Sequence, residues 1–278
     1  MIKRILLGLG GTPYTAVAIQ RAVLLAKPLD AEITGVTVLD PHRLATAGPA
    51  PEKRPADATT RIALTRERLE AAIGAFESAC AAAGVRHRVE REGNASSFEV
   101  MISLARYHDL MIFGLRSIFE YGVSGPDQPE EKPKDTLARL VSAGVRPIIA
   151  VSETFRPIRK ALIAYSGSME SAKTMKRFVQ LRLWPEAQLK IVTFQSSESR
   201  ARRLLFDASE YVRAHGFHVE ADWNPGSPKD FLLPMATQWQ ADMIVMGNSA
   251  RSLLVKRVLG ETALQIIRDA DRPLFLCQ

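Results

Sequence analysis

The sequence has little cysteine, few aromatic residues and no long apolar run. Its two cysteines, Cys80 and Cys277, form no Cys-x-x-Cys spacing, which argues against a zinc-site motif or a disulfide framework. No stretch approaches the roughly 20 apolar residues that a membrane-spanning helix needs. Pro13 and Gln20 interrupt the apolar start of the chain, so it does not resemble a signal peptide. We therefore expect a cytoplasmic protein that does not enter a membrane.

Basic residues are in moderate excess. The 37 lysines and arginines and 30 acidic residues give a formal net charge of +7. The basic clusters at 86–91 and 200–203 lack the interleaved aromatic residues of a single-strand nucleic-acid surface. We interpret both clusters as solvated faces of strands or helices, and we do not expect nucleic acid as a partner.

The sequence contains an internal repeat, because three segments occur twice in the same order. Residues 3–12 resemble 159–168, residues 109–114 resemble 242–247, and residues 146–151 resemble 272–277. The extra residues of the first copy fall in the turn-rich stretches 41–57 and 122–133, as loop insertions do. We therefore predict two tandem domains, at residues 1–153 and 157–278.

Each copy alternates continuous apolar strands with amphipathic helices, which indicates a parallel sheet covered on both faces. In the second copy we predict strands at 161–165, 188–195, 217–223, 243–246 and 274–277, and helices at 169–183, 200–215, 229–240 and 261–270. The fold class is therefore α/β, with two tandem five-stranded parallel-sheet sandwiches. Such sheets bind ligands beyond the carboxyl ends of the strands, where the strand order reverses.

A glycine-containing segment follows the fourth predicted strand of the second copy. Gly247-Asn248-Ser249-Ala250 is followed, after nine residues, by Gly260 at the start of a helix. Glycine lets a backbone approach an anion closely, and a helix N-terminus offers unpaired N–H groups. From the spacing alone, a phosphate cradle and two simple chain turns are both open.

This segment resembles the universal stress protein family. The family carries Gly-x2-Gly-x9-Gly-(Ser/Thr) here, and the sequence has Gly247-x2-Ala250-x9-Gly260-Glu261 in a similar flank. The resemblance implies a Rossmann-like, adenine nucleotide α-hydrolase-like fold. ATP-binding members hold ribose and phosphates with this loop, so the resemblance also implies ATP or AMP as the cofactor. We expect no metal.

The resemblance also implies which residues would bind the nucleotide. They are Ser166, Gly167, Ser168, Val192, Gly226, Met246, Gly247, Asn248, Ala250, Arg251, Gly260, Glu261 and Thr262. Several positions depart from the family. Ala250 adds a Cβ, Glu261 would repel a phosphate by like charge, and Ser166 stands where the family has an aspartate near adenine. Thr262 comes one residue late, and we expect it to point elsewhere.

The first copy departs further from the family. Its first strand ends in Gly10-Gly11-Thr12, and no Gly-x9-Gly-Ser pattern follows Gly114. Residues 130–135, which are mostly charged, occupy that region instead. We predict that the first domain is a degenerate copy that binds no nucleotide in the manner of the family.

The family also implies how the two copies pair. Its single-domain members pair through their last strands, so we expect residues 148–151 beside residues 274–277 across a pseudo-twofold axis. The tandem chain would then resemble a dimer of single domains, and two such chains could form a homodimer.

Three functions remain open. The first is a non-catalytic stress-response module that binds an adenine nucleotide in the second domain. The second is a member that acts through protein partners or another ligand. The third is an enzyme, because Ser166–Ser171 resembles the pyrophosphate loop of ATP pyrophosphatases. For that segment we favour a helix start capped by Ser168.

Overall fold

The computed structural model describes residues 1–38, 58–92, 97–115, 147–247 and 261–277. The two stretches that we interpret as insertions, 41–57 and 122–133, lie outside these residues. The chain divides into two compact units. The first comprises Met1–Arg146 and Val151–Phe155, and the second comprises Pro147–Ala150 and Arg156–Gln278.

The first unit contains a parallel sheet in the order β3-β2-β1-β4. Its strands are β1 (Arg4–Leu9), β2 (Glu32–Val38), β3 (His87–Glu92) and β4 (Leu110–Gly114). Its helices are α1 (Thr15–Leu29), α2 (Ala58–Ala83) and α3 (Ser97–Ala105). Every residue of β4 is buried, as expected for a strand covered on both faces.

The second unit contains a sheet in the order β5-β10-β9-β6-β7-β8. Its strands are β5 (Ile148–Val151), β6 (Lys160–Ala164), β7 (Gln188–Phe194), β8 (Val219–Asn224), β9 (Met243–Gly247) and β10 (Leu274–Cys277). Its helices are α4 (Met169–Leu181), α5 (Glu198–Ala214), α6 (Pro228–Gln238) and α7 (Glu261–Asp269). These elements match the strands and helices predicted for the second copy to within about two residues, and the predicted α/β fold class is confirmed.

Strand β5 pairs with β10 in the antiparallel direction, whereas the other strand pairs of this unit are parallel. The register places Leu274 opposite Ala150 and Leu276 opposite Ile148. The predicted pairing of these two segments is therefore confirmed. A strand that belongs to the first copy by sequence completes the sheet of the second unit.

The repeated aspartate, Asp109 or Asp242, clamps the start of the first strand of each copy. Asp109 Oδ2 accepts the backbone N–H groups of Lys3 and Arg4, at 2.9 and 3.1 Å. Asp242 Oδ2 accepts those of Arg159 and the following residue, both at 2.9 Å. The repeated position therefore has a structural role, since it holds two neighbouring strands in register.

His108 is a buried histidine of the first unit and is 1% exposed. Its Nδ1 lies 2.6 Å from the Leu104 carbonyl oxygen, and its Nε2 lies 2.8 Å from Thr34 Oγ1. A carbonyl can only accept, so Nδ1 carries the proton and Nε2 accepts from the threonine hydroxyl. Both ring nitrogens of the neutral imidazole are therefore satisfied.

The pKa of His108 lies below its usual value, mainly because burial disfavours the charged ring. The hydrogen bond to the Leu104 carbonyl raises this pKa, Arg4 and Arg88 lower it, and Glu32 raises it. The unfolded chain therefore takes up a proton first as the pH falls. The contribution of His108 to stability is fully present above about pH 6.5, the pKa of histidine in the unfolded chain. It is lost as the pH falls towards the lower pKa of the folded state.

We expect this proton uptake to destabilise the first unit in mild acid. The urea midpoint of the wild type should fall between pH 7 and pH 5 by more than that of His108→Gln, which cannot titrate. The exposed His218→Gln variant is the control and should keep the pH dependence of the wild type. Parallel pH profiles for wild type and His108→Gln would contradict the prediction.

Candidate functional site

A cleft of about 130 Å³ opens at the carboxyl ends of β6 and β9 in the second unit. The strand order reverses between these two parallel strands, because β7 lies on one side of β6 and β9 lies on the other. This crevice is where open α/β sheets bind ligands. Its lining residues are Ala164, Tyr165, Ser166, Ser168, Ser171, Phe194, Pro228, Leu232, Met246, Gly247, Thr262 and Ala263.

Helices α4, α6 and α7 all begin at the cleft. Ser168 and Ser171 come from the start of α4, Pro228 is the first residue of α6, and Thr262 is the second residue of α7. Helix N-termini carry a partial positive charge and unpaired N–H groups. Their convergence directs three helix N-termini at a cleft whose described lining has no cationic side chain, while Glu170 and Asp230 lie in the first turns of α4 and α6.

Three serines organise the turn between β6 and α4. Ser168 Oγ accepts the N–H group of Ser171 at 3.2 Å and so caps α4, which confirms the capping interpretation of this segment. Ser171 Oγ donates to the Ser168 carbonyl oxygen at 2.9 Å, and Ser166 Oγ donates to Ser171 Oγ at 3.2 Å. Gly167 adopts a φ of +78°, a conformation that favours glycine.

Gly247 allows the end of β9 to pack directly on the start of α4. A Cβ atom at this position would lie 2.8 Å from the backbone carbon and oxygen of Glu170 and 2.9 Å from the nitrogen of Ser171. Backbone atoms cannot rotate away as a side chain can. The glycine is therefore required by the packing of the cleft, independently of any ligand.

The structure brings several of the predicted site residues together. Those that line the cleft are Ser166, Ser168, Met246, Gly247 and Thr262, and Gly167 lies between two of them. Thr262, which we expected to point elsewhere, is among the lining residues at the first turn of α7.

Two predicted residues lie apart from the cleft lining. Val192 is fully buried within β7, and the N–H group of Gly226 donates to Asn224 Oδ1 at 2.7 Å. The predicted residues Asn248, Ala250, Arg251 and Gly260 lie outside the described residues. For Glu261 only the backbone, at the start of α7, is described.

Sequence reasoning missed the apolar wall of the cleft. Phe194 and Leu232 form part of that wall, and Tyr165 lies at the end of β6. A signal for Phe194 was present, since it shares a face of β7 with Val192 and lies nearer the carboxyl end. Burial raises the pKa of Tyr165, and Asp207 raises it further, so the phenol stays protonated and can donate a hydrogen bond.

Among the described residues that line the cleft, none carries a charged side chain. Among all the residues that the structure describes, no cluster of three or more histidine, cysteine, aspartate or glutamate side chains could hold a metal ion. Every helix in this part of the chain is too short or too polar to cross a membrane. The described surface of the cleft therefore offers apolar contacts, hydroxyl groups and helix N-termini.

In the first unit, an aromatic ring fills the corresponding position. Gly8 and Phe113 are the sequence counterparts of Ala164 and Met246. A Cβ atom on Gly8 would clash with the ring of Phe113, so the ring occupies the space that a side chain at residue 8 would take. Phe113 is 4% exposed. In both copies the first strand carries the smaller residue and the fourth strand the larger one, and only in the first copy is the larger residue aromatic.

Comparison with known proteins agrees with this geometry. The sequence model of the Universal stress protein family matches residues 1–116 and 157–278. No relative is found among the curated proteins.

Solved structures resemble the whole chain at low sequence identity. A universal stress protein from Archaeoglobus fulgidus DSM 4304 is 15% identical, with a TM-score of 0.69, and the match covers 99% of this chain and 96% of that protein. A putative universal stress protein from Pseudomonas aeruginosa UCBPP-PA14 is 16% identical, with a TM-score of 0.62 and coverages of 99% and 93%. These likenesses establish the fold. The match of the family to two successive segments shows that this chain belongs to the universal stress protein family and carries two of its domains in tandem.

Proposed function

We propose that this protein is a non-catalytic stress-response module whose second unit binds an adenine nucleotide, AMP or ATP, in the cleft between β6 and β9. The observation that carries the proposal is the convergence of the three helix N-termini on a partly apolar crevice at the reversal point of the sheet. An anionic ligand with an apolar aromatic end fits both properties.

The lining divides into two chemically distinct parts. Phe194, Leu232 and Met246 supply apolar surface against which a base would pack. The three serine hydroxyls donate within the turn, so they would accept hydrogen bonds from a ribose. The hydroxyl of Thr262, at the start of α7, would donate to a phosphate oxygen. A volume of about 130 Å³ is below the roughly 300–1,000 Å³ of typical ligand pockets. The described residues would therefore enclose the base-sized part of the ligand.

Two features of the first unit support the proposal that only the second unit binds the nucleotide. The ring of Phe113 fills the space beside Gly8. Thr12 is 7% exposed, whereas its counterpart Ser168 is half-buried and lines the open cleft. A base could enter the first unit only if the phenylalanine ring moved.

A second candidate is a member that acts through protein partners or through another, neutral ligand. It is favoured by the absence of charged side chains from the described lining of the cleft. It is also favoured by Ser166, which stands where the family has an aspartate near adenine. The two candidates differ in whether purified protein retains or binds a nucleotide.

The test transfers the arrangement of the first unit to the second. The double variant Ala164→Gly/Met246→Phe places the Gly8–Phe113 pair in the cleft, and Ala164→Gly alone is the matched control. Nucleotide content after purification and calorimetric titration with AMP and ATP are measured for each protein. We expect wild type and control to bind, and the double variant to bind at least about tenfold more weakly, a loss of about 1.4 kcal/mol or more.

Each contrary outcome has a distinct meaning. No bound nucleotide and no heat at millimolar AMP or ATP in the wild type would contradict nucleotide binding and favour the second candidate. Equal binding by a folded double variant would place the nucleotide outside this cleft.

A further inference from the structure

A chain of hydrogen bonds crosses the carboxyl ends of β6, β7 and β8 beside the cleft. Gln195 follows β7, and its Nε2 donates to the carbonyl oxygen of Ser166 at 3.2 Å. The backbone of Gln195 is held from the other side. Its N–H group donates to the Asn224 carbonyl oxygen at 3.3 Å, and its own carbonyl oxygen accepts from Trp223 Nε1 at 2.7 Å.

The turn that Gln195 contacts is exposed and internally bonded. Ser166 and Gly167 are exposed, and Gly167 has a positive φ. The serine hydroxyl bonds join residues 166, 168 and 171 to one another, so they shape the turn but do not tie it to the sheet. The Gln195 amide links this turn to the end of the neighbouring strand.

We propose that Gln195 is a positioning residue of the cleft, an inference that rests on the proposed function. Gln195 does not line the cleft itself, but it holds Ser166 and thereby the cleft-lining turn that leads into α4. Residue 195 must supply a hydrogen-bond donor, because the Ser166 carbonyl oxygen can only accept. Glutamate has nearly the same shape as glutamine but carries no donor at neutral pH, so it separates hydrogen bonding from packing when exchange is measured without ligand. Its negative charge would itself weaken AMP binding, so the affinity comparison uses the neutral Gln195→Met.

The experiment uses the full chain with Gln195→Met, Gln195→Glu and the control Gln188→Met. Gln188 lies at the opposite end of β7, where its Nε2 donates to Glu220 Oε1 at 2.6 Å. Amide hydrogen exchange is measured in the absence of ligand, and calorimetry gives the affinity for AMP. We expect both Gln195 variants to speed the exchange of the Ser168 and Ser171 amides about two- to twelvefold, which corresponds to the free energy of one lost hydrogen bond. The affinity of Gln195→Met for AMP should fall by a similar factor, whereas Gln188→Met should change neither quantity.

The two readouts separate this inference from the proposed function. If wild type binds no AMP, the proposed function fails, and the exchange rates still decide whether Gln195 orders the turn. The inference would be overturned if Ser168 and Ser171 exchanged no faster in Gln195→Met than in the Gln188→Met control. It would also be overturned if they exchanged in Gln195→Glu at the rates of the wild type. Faster exchange with unchanged AMP affinity would also overturn it, because the turn would then be ordered without effect on the ligand.

Discussion

Replacing Gly247 with alanine is expected to lower the free energy of unfolding of the second unit by about 1–3 kcal/mol. The new Cβ would lie within 2.8–2.9 Å of backbone atoms of Glu170 and Ser171, so β9 and α4 must separate. Because both elements line the cleft, we expect this variant also to weaken ligand binding. Urea denaturation followed by circular dichroism measures the first effect.

The control for this prediction is Gly74→Ala on α2, where no described atom lies within 4 Å of the added Cβ. There the substitution should stabilise the protein by about 0.5–1 kcal/mol, since alanine favours a helix more than glycine does. A Gly247→Ala protein as stable as the wild type would show that the contact between β9 and α4 relaxes without cost.

Replacing Arg272 with methionine is expected to destabilise the second unit by about 1–3 kcal/mol. Arg272 is 5% exposed, and its Nη1 donates to the Ala241 carbonyl oxygen at 3.0 Å. Its Nη2 donates to Thr237 Oγ1 at 2.9 Å, and its Nε donates to Asp271 Oδ1 at 2.7 Å. Methionine retains an apolar side chain but leaves the Ala241 carbonyl without this donor.

The matched control is Arg268→Met, which removes a comparable arginine–aspartate contact at the surface. The Arg268 side chain is 74% exposed, and its Nε lies 3.2 Å from Asp269 Oδ1. An exposed pair contributes little, so we expect a change within about 0.5 kcal/mol. Equal thermal midpoints for the two variants would contradict the role assigned to the buried guanidinium.

The sequence predicted β6, β9 and β10 of the second unit well because they are short apolar runs bounded by turn residues. Strands β9 and β10 and the antiparallel partner of β10 follow from this signal and from the repeat. The starts of α5 and α6 were displaced by two residues and one residue, whereas those of α4 and α7 were predicted at the residue where they lie. Ser197 and Ser227 accept N–H groups at the starts of α5 and α6. These capping serines indicate both starts, but we placed the starts from hydrophobic periodicity instead.

The candidate site was predicted only in part. Residues adjacent to the strand-end glycines, such as Ser168 and Met246, could be placed because the ends of parallel strands meet at one edge. Phe194, at the carboxyl end of β7, could have been placed by the same argument. Leu232 could not, because its contribution depends on how α6 approaches the crevice, which is a property of packing that a single sequence does not encode locally.

The antiparallel pairing of β5 with β10 has a consequence for dissecting the chain. A fragment that begins at residue 157, where the second sequence repeat begins, would lack residues 148–150 and leave one side of β10 unpaired. All four residues of β10, Leu274–Cys277, are buried in the intact chain. A bare, apolar strand edge invites pairing with another molecule. We therefore expect a fragment cut at the repeat itself to self-associate through β10.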